Sequence, residues 1–170
     1  MKSKLKPLYD AMMVAACVSV VLVLAIQIYI IVGRVVGLSF LSGNAYTGYL
    51  LAASVFFALP AAFQNGDRIR VTLILERLAP RARFVMEVAC LAIAAIVVGY
   101  FAYYAIRLVW YSYKFHDISS GFDASPMWVP QSVMAIGVVG FLVSILEDLF
   151  LVLKTRRPVL RQADEIARVE

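Results

Sequence analysis

The sequence has little of the chemistry on which most catalytic and redox sites depend. Histidine occurs once, at His116, and the two cysteines, Cys17 and Cys90, stand apart inside apolar runs. One histidine cannot supply the paired axial ligands of a membrane haem, and isolated cysteines form neither a metal cluster nor a disulfide framework. No glycine-rich phosphate loop or nucleophile–base pair is recognisable in the sequence. We therefore expect no cofactor, no metal site and no enzymatic activity.

Charge is also scarce in this chain. Only 16% of the 170 residues are charged, 63% are hydrophobic, and the mean hydropathy is +0.86. Soluble domains are nearer half apolar and a quarter charged, and a domain this small cannot bury such an excess. The net charge of +5 does not indicate nucleic-acid binding, because the basic residues flank apolar runs. The composition predicts a membrane protein.

Four apolar segments are long enough to cross a bilayer, which takes about 20 residues per helix. They cover about residues 11–33, 45–63, 84–113 and 130–153. The first has no charge from Ala11 to Gly33 and is too long for the apolar region of a cleavable signal, so we expect it to be retained. Backbone polar groups in lipid must be satisfied within the chain, so the spans are predicted to be α-helices. We predict an all-α single membrane domain over residues 1–170.

The distribution of lysine and arginine predicts the direction of these spans. Of the 16 basic residues, 13 precede the first span, separate the second from the third, or follow the fourth. Arg34, Arg107 and Lys114 remain for the other face. Because basic residues concentrate on the cytoplasmic side, we expect both termini to be cytoplasmic. On the other face, tyrosine and tryptophan are typical of an interfacial belt, with a ligand-stacking cage as the alternative.

The charged segment between the second and third spans reads "DRIRVTLILERLAPRAR", from Asp67 to Arg83. At helical spacing, one of its faces is apolar and the other is polar, with Val71, Ile74, Leu75 and Leu78 on the first and Arg70 and Arg77 on the second. A helix of roughly ten residues is too short to cross the bilayer. The pattern predicts a short amphipathic helix over about 68–79 that lies in the membrane plane. An ordinary connector packed on the inner end of the bundle is the alternative.

Charged residues also occur near the ends of the spans, at Glu87, Arg107, Glu147 and Asp148, and none lies at a midplane. We interpret them as paired with basic segments or snorkelling to the interface, with ion coupling or a partner contact as alternatives. Small residues form faces on the last two spans. These are Ala92, Ala95, Gly99 and Ala102 in the third, and Gly137, Gly140 and Ser144 in the fourth. Such faces allow close helix approach, either within the chain or to a partner.

Together these features resemble a known family. Four spans with both ends inside, the basic "RIRV" before an amphipathic helix, and "SPMWVPQSVMAIG" entering the fourth span resemble the small permease subunit (DctQ-type) of tripartite ATP-independent periplasmic (TRAP) transporters. The resemblance covers roughly Ala45 to Leu153. Family members often have a histidine in an H-I-x-V motif where this chain has Arg68.

The resemblance implies a scaffold subunit in the bacterial inner membrane that anchors a large multi-span permease subunit. That partner would carry the substrate and sodium sites, and a periplasmic substrate-binding protein would deliver an organic acid. No substrate residues are then expected in this chain. The candidate contacts to the partner or to membrane lipid are Arg68, Arg70, Val71, Ile74, Leu75, Leu78, Ala95, Gly99, Pro126, Trp128, Pro130, Gly137 and Gly140. A self-sufficient transporter acting as a homodimer is the alternative; it would need an ionisable residue deep in a span, and Glu87 is the nearest candidate.

Overall fold

Four long helices make up the computed structural model, which describes residues 5–37, 43–64, 80–119 and 124–155. They are α1 (Lys6–Val36), α2 (Gly43–Gln64), α3 (Pro80–Phe115) and α4 (Trp128–Thr155). All four are long and apolar enough to cross a membrane, which confirms the predicted four-helix, all-α architecture. The predicted in-plane helix, about 68–79, lies outside the described residues.

Glycine and proline set several of the helix ends. Gly37 follows α1 in the left-handed conformation, with φ +81°, and its N–H bonds the carbonyl of Gly33; glycine adopts this conformation without a Cβ penalty. Pro80 opens α3 and Pro130 lies in the first turn of α4. Proline is tolerated there because the first N–H groups of a helix have no partner within the helix.

Each helix contains a predicted span and continues past it at both ends. The longest helix is α3, whose 36 residues correspond to about 54 Å at 1.5 Å per residue. The hydrocarbon core of a bilayer is only about 30 Å thick. A helix of this length must tilt or project from the membrane.

The helices pack in the order α1–α2–α4–α3. Extensive contacts join α1 to α2, α2 to α4, and α4 to α3. In the apolar stretch of α4, 39% of residues are buried, against 6% in α3. Among the described helices α4 is therefore the most buried; it shares the centre of the bundle with α2, and α3 lies at the edge. At one end of the bundle, hereafter the terminal end, α1 begins and α4 finishes; the opposite end is the loop end.

A narrow seam joins α3 to α4. The α3 side of it includes Leu91, Ala102, Ala105 and Ser112, which are all buried. Their spacings of 11, 3 and 7 residues fit the alternating steps of four and three residues in a left-handed, coiled-coil-like helix pair. On α4 the seam includes Ile145 and Val152, which join Leu91 in one apolar cluster.

Candidate functional site

A close approach of two helices depends on a proline in α2 and a glycine in α4. Pro60 is buried inside α2 and has no N–H, so the carbonyl of Phe56 loses its usual helical donor. Gly137 packs against that carbonyl: a Cβ on Gly137 would lie 2.7 Å from the Phe56 oxygen and 2.6 Å from the Phe56 Cβ. The bare Cα of Gly137 thus lets α4 contact the α2 backbone where Pro60 leaves it open.

One turn along α4, Gly140 is the meeting point of three helices. A Cβ on Gly140 would lie 2.7 Å from the Met12 Cε of α1 and 3.4 Å from the Pro60 Cγ of α2. Met12 and Pro60 are themselves buried. Both glycines of α4 are therefore engaged in close packing within this chain.

Below these glycines, toward the terminal end, five polar side chains form a set that we call the polar clasp: Tyr9, Gln64, Ser144, Glu147 and Asp148. The Tyr9 hydroxyl donates to Glu147 Oε2 at 2.8 Å. The Gln64 Nε2 donates to the Ser144 Oγ at 3.0 Å and reaches Asp148 Oδ1 at 3.5 Å. Ser144 and Asp148 are buried, so these bonds satisfy polar groups that water does not reach. The clasp ties α1 and α2 to α4.

The loop end carries a folded connection between α3 and α4. Ile118 and Pro126 form an antiparallel bridge, and Ser119 N–H bonds the Ser125 carbonyl at 2.8 Å. The Tyr49 hydroxyl of α2 donates to the Ser119 Oγ at 3.1 Å. Trp128 packs edge-on against Tyr113, with ring centroids 5.9 Å apart. The connection is thus held to α2 and α3 as well as to α4.

Two helices present wide apolar surfaces. On α1, large side chains are exposed from Leu8 to Val36, and on α3 from Val85 to Phe115. A shallow groove of about 530 Å³ also runs beside the terminal end of α4, lined by Leu5, Val143, Leu146, Glu147, Leu149, Phe150 and Leu153. Apolar surface of this extent needs lipid or a partner to cover it.

The candidate interface residues fall into three groups. Arg68, Arg70, Val71, Ile74, Leu75 and Leu78 lie outside the described residues. A Cβ added to Gly99 would lie 3.8 Å from the Leu142 Cδ1, an ordinary van der Waals distance. Ala95 packs against the Leu91 cluster. Pro126, Trp128 and Pro130 lie together at the start of α4. The small residues of α3 and α4 thus close the bundle of this chain.

The polar clasp is the feature that sequence reasoning did not assemble. The sequence predicts that Glu147 and Asp148 pair with basic segments or snorkel, and the structure adds bonds to them from Tyr9 and Gln64. The sequence does place a polar residue near one end of each of these three spans, and the clasp could have been predicted from that pattern. Among the described residues, no three His, Cys, Asp or Glu side chains lie together so as to hold a metal ion.

The described part of the chain is a bundle of four apolar helices with a closely packed centre, and a known family matches it. The family model for the DctQ component of tripartite ATP-independent periplasmic transporters matches residues 21–155. The chain belongs to the DctQ family. The match to DctQ begins inside α1 and ends with α4, so it extends further toward the N-terminus than the resemblance from Ala45 to Leu153. Comparison with the curated proteins gave no match.

Membership in the DctQ family makes this chain a membrane component of a TRAP transporter. Its four spanning helices agree with a multi-pass membrane protein. The family consists of transporter components and implies association with other parts of such a transporter. For a DctQ chain, the open faces of α1 and α3 are therefore candidate subunit surfaces as well as lipid surfaces.

Proposed function

We propose that this DctQ chain is a stationary scaffold in the bacterial inner membrane that anchors a large multi-span permease subunit. The complex takes up an organic acid, delivered by a periplasmic binding protein, with sodium coupling. The observation that carries this proposal is the contrast between a rigid centre and open sides. Gly137 packs against the α2 backbone and Gly140 against the side chains of Met12 and Pro60, while α1 and α3 keep broad exposed apolar faces.

The position of charge supports placing the ion and substrate sites on the partner. Residues 11–33, 43–64, 88–106 and 128–146 contain no Asp, Glu, Lys or Arg. Transporters bind substrate and coupling ions near the bilayer midplane, often at broken helices. The described helices are continuous, and their charged residues lie toward the ends. A supporting subunit fits this pattern better than a self-sufficient transporter.

The orientation and the in-plane helix belong to the same proposal. The 13 basic residues on one side support cytoplasmic termini. With its arginines and its Val/Ile/Leu stripe, the segment of about 68–79 suits a brace in the cytoplasmic interface. Its apolar face would meet lipid and the large subunit.

Co-purification tests the scaffold function directly. The full chain, tagged and expressed with its transporter partners, is extracted in mild detergent. We expect a stoichiometric complex with a much larger membrane protein. With the binding protein supplied, sodium-dependent uptake in vesicles is expected only when both membrane proteins are present. Uptake by this chain alone would refute the proposal.

A single variant separates the scaffold from the homodimer alternative. Glu87→Gln removes the carboxylate closest to an apolar stretch of α3. In a scaffold this change impairs assembly or has little effect. Loss of sodium coupling in a fully assembled complex would instead assign transport chemistry to this chain.

A further inference from the structure

One arginine of α3 points away from the rest of the bundle. Arg107 is fully exposed, whereas Ala102 and Ala105 on the opposite side of the helix are 3% exposed and face α4. At 100° per residue, Tyr100, Tyr104 and Arg107 share this outward side. Arg107 precedes the end of α3 by eight residues, or about 12 Å along the axis. The charge therefore lies on the outermost edge of the molecule, within a helix suited to span the membrane.

The contacts of Arg107 within the described residues are with tyrosine. Its Nη2 donates to the Tyr111 hydroxyl at 3.2 Å, and its Cζ lies 5.3 Å from the centroid of the same ring. In the described part of the chain, no carboxylate lies within salt-bridge distance of this guanidinium. Tyr111 is one turn nearer the loop end, so the bond turns the guanidinium toward that membrane surface.

A guanidinium on the lipid-facing side of a span is costly unless it reaches the interface and meets an anion. The anion present at that level in a bilayer is the lipid phosphate, whose oxygens match the fork of donors on arginine. Tyrosine is also typical of the headgroup level. Deeper along this side of α3, Ile93, Ile96 and Val97 are each more than 60% exposed, which gives acyl chains an apolar surface.

We propose that Arg107, together with Tyr104 and Tyr111, binds the phosphodiester group of an anionic phospholipid at the loop end of α3. The acyl chains lie along Ile93, Ile96 and Val97. The lipid phosphate supplies the counter-charge that the described residues do not, and the tyrosine hydroxyls supply further donors. This lipid would be held at a fixed position on the edge of the bundle.

Trp110 offers a local reporter of this lipid. It lies three residues from Arg107, is 67% exposed, and is one of two tryptophans in the chain. The full chain with Trp128→Phe is reconstituted in phosphatidylcholine vesicles that contain brominated phosphatidylglycerol, which quenches tryptophan on contact. We expect about fivefold preference for phosphatidylglycerol over phosphatidylcholine at Trp110, the size typical of one basic residue near an anionic surface.

Variants that remove the charge test the assignment. Arg107→Leu and the polar Arg107→Gln are both expected to abolish the preference. Arg34→Leu removes the same charge from the last turn of α1 and is expected to leave it unchanged. The proposal is overturned if the preference survives in both Arg107 variants, or if Arg34→Leu lowers it equally. Co-purification with the large permease subunit gives a second readout. The proposal is also overturned if the Arg107 variants keep the preference for phosphatidylglycerol but no longer co-purify with that subunit, because the arginine would then pair with protein.

Discussion

At the scale of single residues, Gly137 is a position where one extra carbon has a large effect. Its neighbour is the backbone of Phe56, which cannot rotate away as a side chain can. Pro60 makes this neighbour available, because it cannot donate to the Phe56 carbonyl. A Cα–H···O contact from a glycine is a weak but recurrent substitute at helix interfaces. The close contact therefore needs both Gly137 and Pro60, which are 77 positions apart in the sequence.

Gly137→Ala is expected to destabilise the bundle. The added Cβ would lie 2.6–2.8 Å from atoms of Phe56, so α2 and α4 must separate, at a cost of about 1–3 kcal/mol. Unfolding of the full chain by a denaturing detergent, followed by circular dichroism, measures the change. Gly99→Ala is the matched control, because its Cβ would meet the Leu142 Cδ1 at 3.8 Å. Equal stability of the two variants would contradict this account of the contact.

At the scale of elements, the link between α2 and α4 combines apolar packing with the polar clasp. Gln64 is the last residue of α2 and bonds to Ser144 and approaches Asp148 on α4. A second glutamine, Gln131 near the start of α4, differs sharply, because its buried Oε1 has no hydrogen-bond partner among the residues that the structure describes. An unpaired buried acceptor costs free energy, whereas a paired one does not. The same residue type thus has opposite effects at the two ends of α4.

Gln64→Met and Gln131→Met form a matched pair of substitutions. The first removes the donor to buried Ser144 Oγ and the longer contact to Asp148 Oδ1, and it is expected to lower the free energy of unfolding by about 1–3 kcal/mol. The second removes an unsatisfied acceptor and is expected to be neutral or stabilising. The same detergent-unfolding measurement compares them. A larger loss at Gln131 would show that the clasp contributes little to the bundle.

At the scale of the whole molecule, the helix order separates supporting from exposed elements. α2 and α4 share the centre, and α1 and α3 flank it. This arrangement gives two lateral surfaces on either side of the central pair, and in the proposed scaffold function one of them binds the large subunit. The proposed orientation decides which compartment each end of the core meets.

Cysteine labelling tests that orientation. In a background with Cys17→Ala and Cys90→Ala, which removes the exposed native thiols, a Ser120→Cys variant is expected to react with a membrane-impermeant maleimide in intact cells. A Thr155→Cys variant is expected to react only after the cells are opened. The reverse pattern would invert the topology and place the basic segments outside.

Hydropathy predicted the number and type of elements because the lengths of apolar runs decide which segments cross a membrane. Spacing of small residues also selected Gly137 and Gly140 as sites of close approach. It did not show which helices approach, since the order α1–α2–α4–α3 has no signal in hydropathy. The bond from Tyr9 to Glu147 joins residues 138 positions apart, and it depends on that order. Pro60 was missed for the same reason, because its effect appears only when Gly137 is placed beside it.

The central position of α4 has a consequence for biogenesis. α3 makes its extensive contacts with α4, so on the ribosome it is completed before its packing surface exists. During that interval α3 is held in the bilayer only by its apolar side chains. The α1–α2 pair forms without it. The four-helix bundle closes when α4 is released. A chain that stops before α4 would therefore leave α3 without its main packing partner.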